Sequence, residues 1–268
     1  MIEDYPNSIA SEGRSPLKFF LLVFALTIPF YLAGILMTFQ LLPGVPVSGL
    51  AVLCPVGAAL ILVCRRNGFA GVTVFLKRSF DFKRIKVKIW YIPLILLMPC
   101  IMVTSYLVMR LMGVSLPTPQ FSVVKTLILF AVFIIPAQCE ELGWSGYAID
   151  PLQDRFGALR ASILVGAVWA IWHFIPLLEV HRSWVFIAWW SLGTVASRII
   201  IVWLYNNTGR SVFVAAIFHA MMNLTWQLFP VNGSYFDPRV TGLITLGVAI
   251  VVVIVWGPQT LSRAARSR

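Results

Sequence analysis

The sequence carries little charge for its length. Only 12% of its 268 residues are charged, and only ten of them are Asp or Glu. A soluble domain of this size has about a quarter of its residues charged and about half apolar. Here 59% of the residues are hydrophobic. The composition therefore excludes an ordinary soluble domain.

Three familiar patterns are also missing. The first residues, MIEDYPNSIASEGRSP, are polar and mildly acidic, so we expect no cleavable signal peptide. No HExxH helix is present. The four cysteines have no CxxC spacing and fall in or beside apolar runs; they are Cys54, Cys64, Cys100 and Cys139. We interpret them as small buried apolar residues, which carry no information about the redox compartment.

Long apolar runs dominate what is present. A helix that crosses a bilayer needs about 20 mostly apolar residues. Eight segments qualify, the second and seventh being short: 17–42, 48–64, 89–111, 122–149, 159–178, 183–205, 211–229 and 238–256. The sequence therefore predicts an all-α fold, a polytopic membrane bundle of about eight transmembrane helices. We expect residues 1–268 to form a single membrane domain.

The net charge of +11 is distributed unevenly. With eight spans, both ends of the chain lie on one side, and most Lys and Arg residues lie there too. The opposite side holds only Arg110, Lys125, Arg182 and Arg239, and Arg198 lies inside a span. This positive-inside bias predicts cytoplasmic termini in a multi-pass protein, for which a prokaryotic cell membrane is expected. The bias also argues for membrane lipids, and against nucleic acid, as the partner.

The longest connection, 65–88, mixes phenylalanines with eight cations. That composition is typical of a segment at the cytoplasmic lipid surface, where each cation contributes about 1 kcal/mol. It serves there as a surface anchor or as a lid that guides the substrate.

Few polar side chains interrupt the spans. They are Glu140, Glu141, His173, Arg198, His219 and Asn223. An ionisable residue at the centre of a membrane helix costs about 2.5–3.5 kcal/mol, so such groups are paired or functional. Either histidine alone would be a packing residue. At 1.5 Å per residue the glutamates and histidines reach similar depths, in the cytoplasmic half of the membrane.

Helical spacing sorts these side chains by face. His219 and Asn223 are four residues apart and share one helix face, as do His173 and the tryptophan four residues before it. Glu140 and Glu141 are adjacent, so their side chains point about 100° apart. We expect one of the two glutamates to face a cavity and the other to support it from behind.

Three segments carry a resemblance to a known family. EELGWSGY, WAIWHFIP and FHAMMN, in this order on separate spans, resemble the EExxxR, [FW]xxxH and HxxxN motifs of the CPBP family. This family contains CAAX proteases and bacteriocin-processing (Abi) membrane proteins, and its catalytic core corresponds to 122–229. One position departs from the pattern, because Ser145 stands where the family has arginine. We hypothesise that Arg198 replaces that arginine by pairing with Glu141 or Glu140; the alternative is that it reaches the inner membrane surface.

The resemblance implies an eight-helix intramembrane endopeptidase that acts near the cytoplasmic membrane face. It makes Glu140 the general base and lets His173 hold the attacking water. His219 and Asn223 would stabilise the oxyanion, with Glu141 supporting the site. Two mechanisms remain open: a metal-free one, and one in which Glu140, His173 and His219 bind zinc with water as the fourth ligand.

Two other functions remain open at this point. The loss of the motif arginine favours a catalytically degenerate membrane scaffold or bacteriocin-immunity protein. Buried polar groups could also serve a transporter, although no internal repeat supports one. For an enzyme, the expected substrate is a peptide or lipid-anchored protein reached from the membrane plane. The sequence makes no prediction of the oligomeric state.

Overall fold

A computed structural model describes residues 13–37, 40–42, 45–231 and 233–263. The polar N-terminal residues 1–12, on which the signal-peptide prediction depends, lie outside this range. So do Arg266 and Arg268, two of the cations assigned to the cytoplasmic side.

The described chain is helical almost throughout. The helices are α1 (Pro16–Leu36), α2 (Leu53–Leu76), α3 (Tyr91–Leu111), α4 (Val123–Gly143), α5 (Ile149–Phe156), α6 (Ala158–Trp172), α7 (Phe174–Glu179), α8 (Trp184–Asn207), α9 (Val212–Leu228) and α10 (Pro238–Trp256). A π-helical turn, Trp144–Ala148, joins α4 to α5. Short 3₁₀ helices cover Val47–Val52, Lys77–Arg84 and Lys88–Trp90, and the strands Gln40–Leu42 and Val45–Pro46 pair antiparallel.

The predicted bundle of membrane helices is confirmed. Within the described residues, seven helical segments are long and apolar enough to cross a membrane, and α9 is a shorter apolar helix. The chain is therefore an integral, multi-pass membrane protein. The second span differs from its prediction, because its helix does not end near residue 64 but continues to Leu76. Charged side chains end the apolar run, yet the backbone stays helical apart from Gly68, whose φ of 64° only glycine adopts readily.

Serine and aspartate side chains define where several helices begin. Ser15, Ser122, Ser183 and Ser211 each accept a hydrogen bond from the backbone N–H three residues later. Asp237 caps α10 by accepting from the Arg239 N–H, two residues later, with Pro238 as the first helical residue. Such caps contribute about 1 kcal/mol each, because they satisfy N–H groups that the helix itself leaves without partners.

The second half of α8 lies at the centre of the bundle. Helix α8 packs between α6 and α10, while α4 packs against α2 and α9. Residues 196–205 of α8 are buried throughout, so Arg198 lies in the protein core and does not reach the membrane surface. Gly166 on α6 permits this approach, since a Cβ there would come within 3.1 Å of the Arg198 Cβ.

The prediction that all four cysteines are buried is wrong in part. All four are free thiols, but only Cys54 is buried, and Cys100 on α3 is exposed. Cys100 lies in the apolar segment Lys88–Leu111, which is long enough to cross a membrane. Cys139 lines the cavity described below.

Candidate active site

The two adjacent glutamates lie near the end of α4, immediately before the π turn. Both are buried; Glu140 is 3% exposed and Glu141 is completely enclosed. A π turn is rare and is found most often at functional sites, where the wider turn redirects side chains. Buried carboxylates require partners, and each glutamate has a different set.

Glu140 is held by indole N–H groups. Trp169 of α6 donates its Nε1–H to Glu140 Oε2 at 2.7 Å, and Trp144 donates to the same oxygen at 3.4 Å. The other carboxylate oxygen, Oε1, lies 3.9 Å from His219 Nε2. Hydrogen bonds to a charged group contribute about 1.5–3 kcal/mol, so the Trp169 bond fixes the direction in which this carboxylate points.

Glu141 forms a bidentate ion pair with Arg198. The guanidinium donates from Nη1 to Oε2 at 2.7 Å and from Nη2 to Oε1 at 2.9 Å. Both side chains are fully buried. Ser145 completes the group, since its hydroxyl donates to Glu141 Oε2 and accepts from Arg198 Nη1 at 3.4 Å. The hypothesis that Arg198 pairs with a motif glutamate is confirmed, and that glutamate is Glu141.

The ring of His219 connects the two glutamates. Its Nδ1 lies 3.0 Å from Glu141 Oε1, and its Nε2 faces Glu140. A carboxylate paired with arginine can only accept, so Nδ1 carries the proton. This partner sets the orientation of the ring, as a carboxylate does for histidine in many hydrolytic sites.

His173 lies where α6 is interrupted. Its backbone N–H bonds to Ala170, which frees the Trp169 carbonyl for the ring Nδ1 at 2.8 Å. A carbonyl only accepts, so Nδ1 is the protonated nitrogen and Nε2 is the basic nitrogen of the neutral ring. Pro176 lacks the N–H that would bond to the Trp172 carbonyl, and the Tyr31 hydroxyl of α1 donates to that carbonyl instead.

These side chains meet at one cavity of about 680 Å³. Glu140, His173, His219 and Asn223 all line it, which confirms the prediction that they share one space. Its remaining walls are mostly apolar. From Glu140 and His219, which we call its floor, the cavity extends towards the 3₁₀ helix Val47–Val52. Glu141 is not among the lining residues, so the glutamates divide as predicted: Glu140 faces the cavity and Glu141 supports it from behind.

Sequence reasoning missed the donors that hold this arrangement. Trp144 was not singled out, and Trp169 was noted for sharing a helix face with His173 and as the aromatic residue of the [FW]xxxH motif, but not as a donor to Glu140. The signal that could have found Trp144 is its position four residues after Glu140, because a buried indole N–H needs an acceptor. Tyr31 lies outside the three motifs, and nothing in the local sequence connects it to the His173 helix.

A zinc mechanism would need Glu140, His173 and His219 to be grouped around one ion. Among the described residues, no three His, Cys, Asp or Glu side chains are grouped closely enough to hold one metal ion. The Nδ1 atoms of both histidines are used, by Trp169 and Glu141, so each ring has only its Nε2 available for a metal or a water. The chemistry derived below therefore uses only the side chains of the protein.

Two arginines lie on the other side of the π turn. Arg14 and Arg78 both donate to the Gly146 carbonyl, at 2.9 and 2.6 Å. Burial, together with the neighbouring Arg78 charge, lowers the pKa of the Arg14 guanidinium. The turn is therefore held from both sides, by Arg198 through Ser145 and by Arg14 and Arg78 through Gly146.

Comparison with known proteins gives a consistent result. Residues 122–225 match the family described as Type II CAAX prenyl endopeptidase Rce1-like. A Methanococcus maripaludis protein named CAAX prenyl protease 2 is 30% identical over 275 residues, covering 91% of this chain and 96% of that protein. A Staphylococcus haemolyticus protein named lysostaphin resistance protein A is 30% identical over 125 residues, or 45% of this chain and 33% of that protein.

The matched region contains the four motif residues that line the cavity, Glu140, His173, His219 and Asn223. The similarity to the archaeal protein extends over nearly the whole of both chains. The chain therefore belongs to the CPBP family of CAAX-protease-type membrane endopeptidases.

Proposed function

We propose that this protein is an intramembrane endopeptidase that hydrolyses a peptide bond with a water activated by Glu140. The observation that carries the proposal is the convergence of Glu140, His173, His219 and Asn223 on one cavity inside a membrane bundle. A second observation also supports the proposal. Behind the cavity, Glu141 is paired with Arg198, so the buried negative charge of Glu141 is balanced.

Hydrolysis begins when Glu140 takes a proton from a water held between its carboxylate and His173 Nε2. The water oxygen attacks the carbonyl carbon of the scissile bond, and the carbonyl oxygen becomes an oxyanion. The C–N bond then breaks, and Glu140 returns the proton to the departing amine. One water is consumed and one carboxylic acid and one amine are formed, so the step needs no co-reactant.

The oxyanion is stabilised from α9. The Asn223 amide donates one hydrogen bond, and a protonated His219 donates another from Nε2 while its Nδ1–H stays bonded to Glu141. Removing a single oxyanion donor typically costs about 10²- to 10³-fold in kcat. This arrangement gives each motif residue a separate task.

The substrate is a membrane-anchored peptide or protein. The mostly apolar walls of the cavity support a substrate with an apolar chain or a lipid group, reached from the membrane plane. The name of the archaeal relative supports a prenylated CAAX protein as the first substrate to test.

The chemistry takes place nearer one membrane face. His219 lies seven residues along α9, about 11 Å from its start. The connections at that face carry most of the cations, which supports a cytoplasmic location for this face and for both termini in a prokaryotic cell membrane.

The test compares Glu140→Gln with the wild type in purified, detergent-solubilised protein. The substrate is a prenylated peptide with a quencher and fluorophore on either side of the scissile bond. We expect the variant to lose about 10²- to 10⁴-fold in rate while its melting temperature is unchanged. Glu179→Gln is the matched control, since Glu179 bonds to Ser48 and lies outside the cavity lining.

One alternative is kept because of Ser145: an inactive membrane scaffold or bacteriocin-immunity protein of the same fold. The similarity to a protein named for lysostaphin resistance is consistent with it. If the wild type and Glu140→Gln both fail to cleave, and both retain the same cellular phenotype, the scaffold is the correct function. Glu140-dependent ion flux in vesicles without hydrolysis would instead indicate a transporter.

A further inference from the structure

The 3₁₀ helix Lys77–Arg84, called here the 77–84 segment, does more than lie at a lipid surface. Lys77 and Lys83 are exposed, as expected for a surface connection. Two other charged side chains, Arg78 and Asp81, make hydrogen bonds to distant parts of the bundle. The segment therefore has an outer cationic face and an inner face that bonds to the protein.

Arg78 binds the end of the helix that carries the two glutamates. Its Nη1 donates to the Gly146 carbonyl at 2.6 Å, and its Nη2 donates to the Tyr205 hydroxyl at 2.8 Å. Gly146 lies in the π turn, five residues after Glu141. Phe75, just before the segment, is fully buried and packs against the same glycine. A Cβ added at Gly146 would lie 3.4 Å from the Phe75 ring. The backbone that follows the glutamates is thus fixed by this segment.

Asp81 binds the start of the helix that carries His219 and Asn223. Its Oδ1 accepts from the Ser211 hydroxyl at 2.6 Å and from the Phe213 N–H at 3.1 Å. Its Oδ2 accepts from the Val212 N–H at 3.2 Å. A carboxylate at a helix N-terminus satisfies N–H groups without helical partners and complements the positive end of the helix dipole.

One short segment is therefore bonded to both helices whose side chains form the floor of the cavity. The contacts that matter there cross between those helices: His219 Nδ1 to Glu141 at 3.0 Å, and His219 Nε2 to Glu140 at 3.9 Å. A relative shift of α4 and α9 by about 1 Å changes both contacts, and misplacement of that size can cost about 100-fold in rate.

We infer that Arg78 and Asp81 are positioning residues, which set the placement of Glu140 and Glu141 relative to His219 and Asn223. This role rests on the proposed function. It assigns a catalytic consequence to a connection outside the three motifs and outside residues 122–225.

The test uses Arg78→Gln and Asp81→Ala, with Lys77→Gln and Lys83→Gln as controls from the exposed face of the same segment. We expect kcat to fall about 10- to 100-fold for the first two, with little change in KM. The controls should behave as the wild type. Asp81→Asn, which keeps an acceptor oxygen at this position, should recover most of the lost kcat.

Cys139 provides a second measurement that does not depend on hydrolysis. It lines the cavity next to Glu140, so its alkylation rate reports on the geometry of the floor. In a background with Cys54, Cys64 and Cys100 replaced by alanine, Arg78→Gln and Asp81→Ala should change the rate of reaction with N-ethylmaleimide. Lys83→Gln should leave that rate unchanged.

A purely structural role predicts a different result. The melting temperature would fall, while kcat per folded molecule and the Cys139 rate stayed at the wild-type values; this outcome overturns the inference. If no variant and no wild-type preparation cleaves a peptide, the proposed function fails. The Cys139 rates then still decide whether the segment positions the floor.

Discussion

Replacing Arg198 with methionine tests whether the buried ion pair is required. Methionine fills much of the same volume but cannot donate, so Glu141 is left as a buried carboxylate without its bidentate partner. Both side chains are fully enclosed, with nitrogen–oxygen distances of 2.7 and 2.9 Å. Removing one partner of such a pair costs about 3–5 kcal/mol.

For a protein of this length, that cost corresponds to a fall in melting temperature on the order of 10 °C. Activity should also be lost in the fraction that stays folded, because His219 Nδ1 depends on Glu141 for its orientation. Thermal unfolding followed by tryptophan fluorescence, and cleavage of the quenched peptide, measure the two effects. Arg160→Met is the matched control, since Arg160 is an exposed cation on α6.

A reciprocal exchange makes the test sharper. In the double variant Ser145→Arg/Arg198→Ser, the guanidinium comes from the π turn and the hydroxyl from α8, on the two sides of the same carboxylate. We expect this variant to be more stable and more active than Arg198→Met. The reasoning is refuted if Arg198→Met keeps the melting temperature and the cleavage rate of the wild type.

Three further predictions follow from the same geometry. Trp169→Phe removes the indole donor that lies 2.7 Å from Glu140, so kcat in the peptide assay should fall about 10- to 100-fold while the fold persists. An unchanged kcat would show that this bond does not orient the carboxylate. Gly143→Ala places a Cβ 2.8 Å from the Pro55 backbone, so the free energy of unfolding should fall by about 1–3 kcal/mol in a thermal unfolding experiment. A stability equal to that of the wild type would contradict the packing of α4 on α2. Incubation with a zinc chelator should leave the cleavage rate unchanged, because the candidate ligands are not grouped; loss of activity that added zinc restores would establish a metal mechanism.

The membrane helices could be predicted because their signal is composition over a long window. The predicted boundaries were less accurate where a helix continues past the end of its apolar run. Helix α2 does so, since it extends beyond Arg65 and Arg66 to Leu76. Hydropathy indicates which residues can lie in lipid. The helix itself continues as long as its backbone hydrogen bonds continue, whether or not the side chains are apolar.

The part of the site that could be predicted is the part that depends on spacing along a single helix. Spacing placed His219 and Asn223 on one face, and the cost of burying charge drew attention to Arg198. Which glutamate Arg198 meets could not be predicted, because the rotation of α4 against α8 is set by packing over the whole bundle. The same holds for Trp169, whose indole reaches Glu140 only when α4 and α6 are assembled, whereas Trp144 lies four residues after Glu140 and contacts it locally.

The bond between the Tyr31 hydroxyl and the Trp172 carbonyl has a consequence for dissecting this protein. The helix break beside His173 is completed by a side chain from the first helix, far outside the region that the family description covers. Residues 122–229 expressed as a fragment would therefore contain every motif but lack the group that closes this break. Truncation experiments should keep the first helix, or supply it as a separate peptide, before an inactive fragment is taken to mean an inactive protein.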